Sequence, residues 1–147
     1  MYRSIVVGTD GSDTAAEAVR QAIELAKAVE AELHVVSAYN PVPESELRRQ
    51  REDAPRDVQW SINPRQEAES ALEKARDRAE QAGAKARGHS REGDPADAIL
   101  DVTEDQDADL IVVGNRGMTG ARRFLLGSVP NKISHHAPCS VMIIRTS

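Results

Sequence analysis

The sequence predicts an α/β fold: a five-stranded parallel sheet with helices on both faces. Short apolar, β-branched runs alternate along the chain with longer segments whose apolar residues recur at helical spacing. The most apolar runs lack the in-and-out alternation of a half-exposed strand, which is typical of parallel strands buried on both faces. A chain of 147 residues is long enough for one core, so we expect a single domain over residues 1–147.

The first strand–helix–strand unit spans the first 39 residues. Ser4 to Val7 is short, apolar and β-branched, as a buried strand would be. Ser12 or Asp13 can start a helix, because a short side-chain oxygen accepts from the unpaired N–H groups of the first turn. Apolar residues then recur at helical spacing up to Val29. Leu33 to Tyr39, rich in valine, is the second strand.

Asn40 to Asn63 breaks this alternation. The segment contains three prolines and a dense run of charges, so we interpret it as a long surface excursion, of a length usually found in functional or mobile loops. Asn63 and Pro64 then form a helix start, since proline at the first helical position forfeits no hydrogen bond. Arg65 to Ala82 is rich in helix formers and Gly83 ends it.

The remaining elements follow in the same alternation. Ala84 to Arg91 is polar and weakly patterned, so it predicts a third strand at an edge of the sheet. The later segments are a helix from Asp94-Pro95 to about Gln106, a strand at Leu110 to Val113, a helix from about Ser128 to His136, and a last strand at Ser140 to Arg145.

Two glycine-containing stretches follow the two most apolar strands, the first and the fourth. These strands should be central and adjacent, so Gly8 to Ser12 and Gly114 to Ser128 should meet at the carboxyl edge, where open α/β sheets bind ligands. Glycine lets a ligand approach the backbone, and a helix start offers free N–H groups and a positive dipole end to phosphate. The residues therefore predict a phosphate-binding crevice.

This crevice matches neither common phosphate fingerprint. A Rossmann loop requires G-x-G-x-x-G after the first strand, and a P-loop requires a lysine before its Ser or Thr. Here the first strand is followed by Gly-Thr-Asp-Gly, and no lysine precedes Ser128. Phosphate would have to rest on backbone N–H groups, the Ser128 hydroxyl and an arginine, of which Arg116 is the best placed.

Composition excludes several classes of partner. The formal net charge is −5 and the isoelectric point about 5.4, which argues against binding to nucleic acid or to an anionic membrane surface. We expect no membrane span and no signal peptide, because the amino-terminal residues contain no long apolar run. One cysteine, Cys139, fits a reducing compartment. Together these observations predict a cytoplasmic protein.

The glycine stretch also resembles a known motif. Gly114-x-x-Gly117, nine residues, then Gly127-Ser128 is similar to the nucleotide-binding motif of the universal stress proteins. Ile-Val-Val-Gly-Thr-Asp-Gly-Ser near the start, Ala-Asp-Leu-Ile-Val-Val-Gly in the middle and His-Ala-Pro-Cys-Ser-Val before the last strand agree with the same family. The resemblance covers essentially the whole chain.

The resemblance implies an ATP-binding member of the family, with an adenine nucleotide α-hydrolase-like fold and strand order 3-2-1-4-5. Asp10 would contact the ribose or a metal ion, Mg²⁺ or Mn²⁺, held with the phosphates, and Ala38 would offer backbone atoms to adenine. The full set of binding residues that this implies is Gly8, Thr9, Asp10, Ala38, Gly114, Asn115, Arg116, Gly117, Gly127, Ser128 and Val129.

Pro130 departs from the family pattern, which often has Ser, Thr or Ala at this position. Proline removes one N–H from the helix start; it is compatible with the first helical position and leaves the N–H groups of Ser128 and Val129. A smaller phosphate load, as in AMP or cyclic AMP, is therefore an alternative to ATP.

The sequence leaves the functional class open. No nucleophile–base pair can be placed in the crevice, which favours a nucleotide-binding regulatory protein over an enzyme. The resemblance implies that such a protein acts in stress response. The alternatives are a slow ATPase or self-phosphorylating enzyme using the same crevice, and a structural dimer whose crevice stays empty. The last strand, Ser140 to Arg145, would be an apolar edge, and the resemblance implies a homodimer through it.

Overall fold

The computed structural model of the chain describes residues 1–40, 63–115 and 126–146. The predicted surface excursion lies almost wholly outside these residues, and so do Arg116 and Gly117. The elements are β1 Ser4–Gly8, α1 Asp13–Val29, β2 Glu32–Tyr39, α2 Pro64–Ala82, β3 Ala86–Glu92, α3 Pro95–Asp105, β4 Leu110–Gly114, α4 Ser128–His136 and β5 Ser140–Ile144.

The five strands form one parallel sheet in the order β3-β2-β1-β4-β5. This confirms the predicted fold and strand order, with β1 and β4 side by side at the centre and the polar β3 at one edge. Val6 of β1 is in register with Ile111 of β4, so both strands end at the same level. The chain turns in opposite directions from these two strands, which places the topological switch point between them.

Local sequence explains where the helices begin and end. The Ser12 hydroxyl caps α1 by accepting from the Ala15 N–H at 3.2 Å. Asn63 and Asp94 cap α2 and α3 in the same way, each followed by proline. Gly83 ends α2 with a φ of 81°, a left-handed backbone conformation that residues other than glycine rarely adopt. All these boundaries agree with the sequence predictions.

The core is divided into two layers by the sheet. Alternate residues of each strand face opposite sides, so Val7 packs with α1 and α2, whereas Val6 packs with α3 and α4. The core side chains are almost all Val, Ile, Leu and Ala, as expected for a chain in which only 3% of the residues are aromatic. No helix in the described ranges is long and apolar enough to cross a membrane.

A histidine pair joins the edge strand β3 to β2. The rings of His34 and His89 are hydrogen bonded, with Nδ1 of His34 2.9 Å from Nε2 of His89, and His34 is fully buried. The other nitrogen of His34, Nε2, lies 3.6 Å from Glu32 Oε2, and Arg87 Nε lies 3.1 Å from Glu32 Oε1. The carboxylate favours a proton on Nε2 of His34, which leaves His34 Nδ1 to accept from His89.

Both rings favour the neutral state. Burial lowers the pKa of His34, although the Glu32 carboxylate opposes this, and burial followed by the charge of His34 lowers the pKa of His89. Two protonated rings would also point two N–H donors at each other across the 2.9 Å contact. The unfolded chain binds protons near the ordinary histidine value of about 6.5, so stability is full above that pH and falls below it.

We therefore expect the free energy of unfolding to fall as the pH decreases from 7.5 to 5. Each histidine kept neutral in the folded state contributes at most about 1.4 kcal/mol per pH unit to that slope. Urea denaturation should show that the free energy of unfolding depends less steeply on pH in the double variant His34→Leu/His89→Leu than in the wild type. His135→Gln, at the exposed end of α4, is the control. An unchanged slope in the double variant would contradict the assignment.

Candidate functional site

A cavity of about 260 Å³ lies at the carboxyl edge of the sheet, at the switch point between β1 and β4. It brings together most of the residues that the sequence predicted for nucleotide binding. Those in its lining are Gly8, Thr9, Asp10, Ala38, Gly114, Ser128 and Val129. They come from segments up to about 120 positions apart in the chain, and the strand order brings them to one edge of the sheet.

The turn after β1 forms one wall of the cavity. The Thr9 N–H donates to the Val36 carbonyl at 2.8 Å, which extends the pairing of β1 with β2 beyond the strand end. Asp10 Oδ1 then accepts from the Ser12 N–H at 2.9 Å. The Asp10 carboxylate thus orders the turn that enters α1, and its Oδ2 has no partner within the described residues.

The start of α4 forms the opposite wall. The first hydrogen bond of the helix runs from the Asn131 N–H to the Gly127 carbonyl at 3.1 Å. Ser128 and Val129 precede it, and their N–H groups make no hydrogen bond within the described part of the chain. Pro130 is the third helical residue, not the first, and it lines the cavity. The helix start therefore offers two backbone N–H donors and the Ser128 hydroxyl to a ligand.

Asn115 and Gly127 are outside the cavity lining. Asn115 Oδ1 accepts from both the N–H and the hydroxyl of Thr146, each at 2.9 Å. Its carbonyl accepts from the Gly127 N–H at 3.0 Å, which ties the end of β4 to the start of α4. Both residues therefore shape the site through the backbone. Arg116 and Gly117 remain predictions, because they lie outside the described residues.

The apolar residues that form the floor of the cavity were not predicted from the sequence. Its members share small or aliphatic side chains and come from α1, β2, α3 and β4: Ala15, Ala18, Val36, Pro95, Ile99 and Val113. Most of them sit on apolar stripes that are indistinguishable in sequence from core positions. Only the strand register and helix packing assign them to a cavity. Such a floor suits a flat, weakly polar group such as a nucleobase.

Three charged residues lie beside the cavity, at the starts of α3 and α4. Lys132 Nζ is 2.8 Å from Asp97 Oδ1 and 3.4 Å from Asp94 Oδ2. The hydrogen bond to Asp97 is the main cause of a raised pKa of Lys132. Asp94 directly precedes Pro95, which lines the cavity. This cluster links the two helix starts that flank the site.

A protein-only metal site is absent from the residues described. No group of three or more His, Cys, Asp or Glu side chains is arranged there to hold a metal ion. Asp10 is the one carboxylate in the described lining, so the described residues would supply a single carboxylate ligand. A metal ion at this edge would need oxygen atoms from a bound phosphate to complete its coordination.

The sequence profile of the universal stress protein family matches residues 1–145. The chain belongs to this family. A universal stress protein of Mycobacterium tuberculosis is 37% identical over 147 residues, covering 99% of this chain and 98% of the relative. One from Methanocaldococcus jannaschii is 35% identical over 148 residues, covering 99% of this chain and 83% of the relative.

Solved universal stress protein structures share the fold. One, in complex with cAMP, superimposes with a TM-score of 0.75 at 34% identity and covers 99% of both chains. Another, from Archaeoglobus fulgidus in complex with dAMP, gives a TM-score of 0.69 at 26% identity and covers 98% of both chains. This universal stress protein therefore resembles members that hold an adenine nucleotide.

Gly8 leaves room for α3 at the end of β1. A Cβ at this position would lie 2.6 Å from Ile99 Cδ1, closer than carbon atoms pack. We expect Gly8→Ala to destabilise the fold by about 1 kcal/mol, the low end of the range for overpacking, because Ile99 Cδ1 is the end of a side chain that can rotate. Ile99→Val deletes the contacting Cδ1. In that background, the loss of unfolding free energy caused by Gly8→Ala should therefore be at most half of the loss in the wild type. Urea denaturation measures both differences, and equal losses in the two backgrounds would contradict this packing.

Proposed function

We propose that this universal stress protein binds an adenine nucleotide in the cavity between β1 and β4 and acts as a regulatory binding protein. The observation that carries the proposal is the arrangement of the cavity itself. An apolar floor faces the free N–H groups of Ser128 and Val129, and Asp10 lies on the β1 side. A base, a sugar and a phosphate need these three environments in that combination.

The base, the ribose and the phosphate would each contact a different part of the cavity. The base would lie on the floor beside Ala38, at the end of β2, whose backbone can hydrogen bond to adenine. Asp10 would contact the ribose through Oδ2, since Oδ1 is engaged by the Ser12 N–H. Ser128 and Val129 would hold phosphate at the positive end of the α4 dipole. A Mg²⁺ or Mn²⁺ ion would bind only with a polyphosphate, because Asp10 alone is too few ligands.

A nucleotide with one phosphate group fits the described walls better than ATP. Pro130 removes the third N–H of the helix start, which leaves two backbone donors. The described lining contains no Lys or Arg, so little positive charge balances a triphosphate there. The cAMP and dAMP complexes of the similar structures support this choice. ATP, the first expectation from the sequence, is the competing ligand.

Isothermal titration of nucleotide-free protein with cAMP, AMP and ATP tests the proposal. We expect cAMP or AMP to bind more tightly than ATP. Pro130→Ala should strengthen AMP binding about two- to tenfold, because it adds one N–H donor to a charged acceptor. Adenosine binding should not change in that variant. If none of the three nucleotides binds, the proposed function is wrong.

We also propose that the chain forms a homodimer through β5. This strand is an edge of the sheet, and its Met142 and Ile143 side chains are 37% and 40% exposed. Unpaired backbone groups beside exposed apolar side chains favour pairing with a second copy. The opposite edge, β3, carries Arg87, Arg91 and Glu92 instead, which disfavours the same pairing there.

Light scattering with size-exclusion chromatography distinguishes the two edges. We expect a mass near 32 kDa, twice the 16.0 kDa of one chain, and a monomer for Ile143→Glu, because the dimer would have to bury an unpaired carboxylate. Gly88→Glu, which adds the same charge to β3, is the control and should remain dimeric. A wild-type monomer at tens of micromolar would overturn the proposal.

A further inference from the structure

Lys132 occupies a position from which it can reach a bound phosphate. It follows Ser128 by four residues, so both lie on the same face of α4. Four residues rise about 6 Å along a helix, which is close to the length of an extended lysine side chain. Helical side chains point back toward the amino terminus. The Lys132 ammonium can therefore lie level with Ser128, beside the two free N–H groups.

Two aspartates hold Lys132 at the rim of the cavity. Its Nζ is 2.8 Å from Asp97 Oδ1 and 3.4 Å from Asp94 Oδ2. Asp94 is itself fixed, because its Oδ2 accepts from the Asp97 N–H at 3.1 Å as the cap of α3. Lys132 is thus held between the starts of α3 and α4 by carboxylates that belong to the α3 side.

The charges beside the cavity do not favour a polyphosphate. Lys132 neutralises one of its two aspartates, which leaves this cluster of three side chains with one net negative charge. Asp10 adds a second negative charge, and no cation lines the cavity among the residues described. A lysine that would attract phosphate is therefore engaged, while the carboxylates that engage it repel each added phosphate charge.

We propose that Asp97, with Asp94, is a specificity-determining residue that withholds Lys132 from the nucleotide and so selects for ligands of low negative charge. This inference rests on the proposed function. Asp97 is the decisive partner because its contact is the shorter one and because its side chain caps no helix. Freed from Asp97, Lys132 can turn toward the phosphate that Ser128 and Val129 bind, and one repelling charge disappears at the same time.

The test measures binding of adenosine, cAMP, AMP and ATP by calorimetry to the wild type, Asp97→Asn, Lys132→Met and the double variant. We expect Asp97→Asn to strengthen ATP binding about three- to fivefold, in the range of exposed charge pairs, with adenosine unchanged and AMP between them. Most of this gain in ATP affinity should be lost in the double variant, because the gain comes from the freed Lys132 ammonium.

Asp101→Asn is the matched control. Asp101 is an exposed residue of α3 one turn beyond Asp97, so the variant makes the same change in net charge without releasing Lys132. It should leave the ratio of ATP to adenosine affinity within twofold. The gain of Asp97→Asn should also shrink in 0.5 M salt, since screening weakens an ionic contact at the protein surface.

The outcomes separate this inference from the proposed function. If the wild type binds none of the four ligands, the proposed function fails and the inference fails with it. If the wild type binds adenine nucleotides but Asp97→Asn changes the affinities for adenosine and ATP by equal factors, the inference alone is wrong. A full gain that persists in the double variant, or an equal gain in Asp101→Asn, would also overturn the role of Lys132.

Discussion

The pairing of β1 with β4 is the constraint on which the rest of the molecule depends. These two apolar strands lie side by side in register, with Val6 opposite Ile111. Because the chain leaves them in opposite directions, a gap opens between the connections that follow their carboxyl ends. The turn after β1 and the start of α4 then face each other across that gap. A cavity at this edge follows from strand order alone, before any particular side chain is considered.

Backbone groups, not charged side chains, define the chemistry of the described cavity. The turn after β1 uses Asp10 to order its own entry into α1, and the start of α4 leaves two N–H groups without helical partners. Pro130 limits this number. Among the described residues beside the cavity, Lys132 is paired with Asp94 and Asp97. The site thus combines an apolar floor with a small number of directed donors, an arrangement typical of selective pockets for small molecules.

The two edges of the sheet have different properties. β3 is polar and is fastened to β2 by the His34–His89 pair and by Arg87 with Glu32. β5 is apolar, and Asn115 anchors its end by accepting two hydrogen bonds from Thr146. One edge is therefore protected by charge, while the other presents Met142 and Ile143. The edge strands β3 and β5 pair with β2 and β4, and both of these inner strands contribute residues to the cavity.

The amino-acid sequence is sufficient to predict the fold class and nearly all boundaries of the described helices and strands. Each of these depends on local physics: apolar periodicity marks β1 and α1, and side-chain capping starts the helices at Ser12, Asn63 and Asp94. Three features become visible only in the folded chain: Ile99 lies on the cavity floor, Asn115 accepts hydrogen bonds from Thr146, and Lys132 pairs with Asp97. These contacts join residues of distant segments, and their partners depend on strand register and helix packing, which no local pattern encodes.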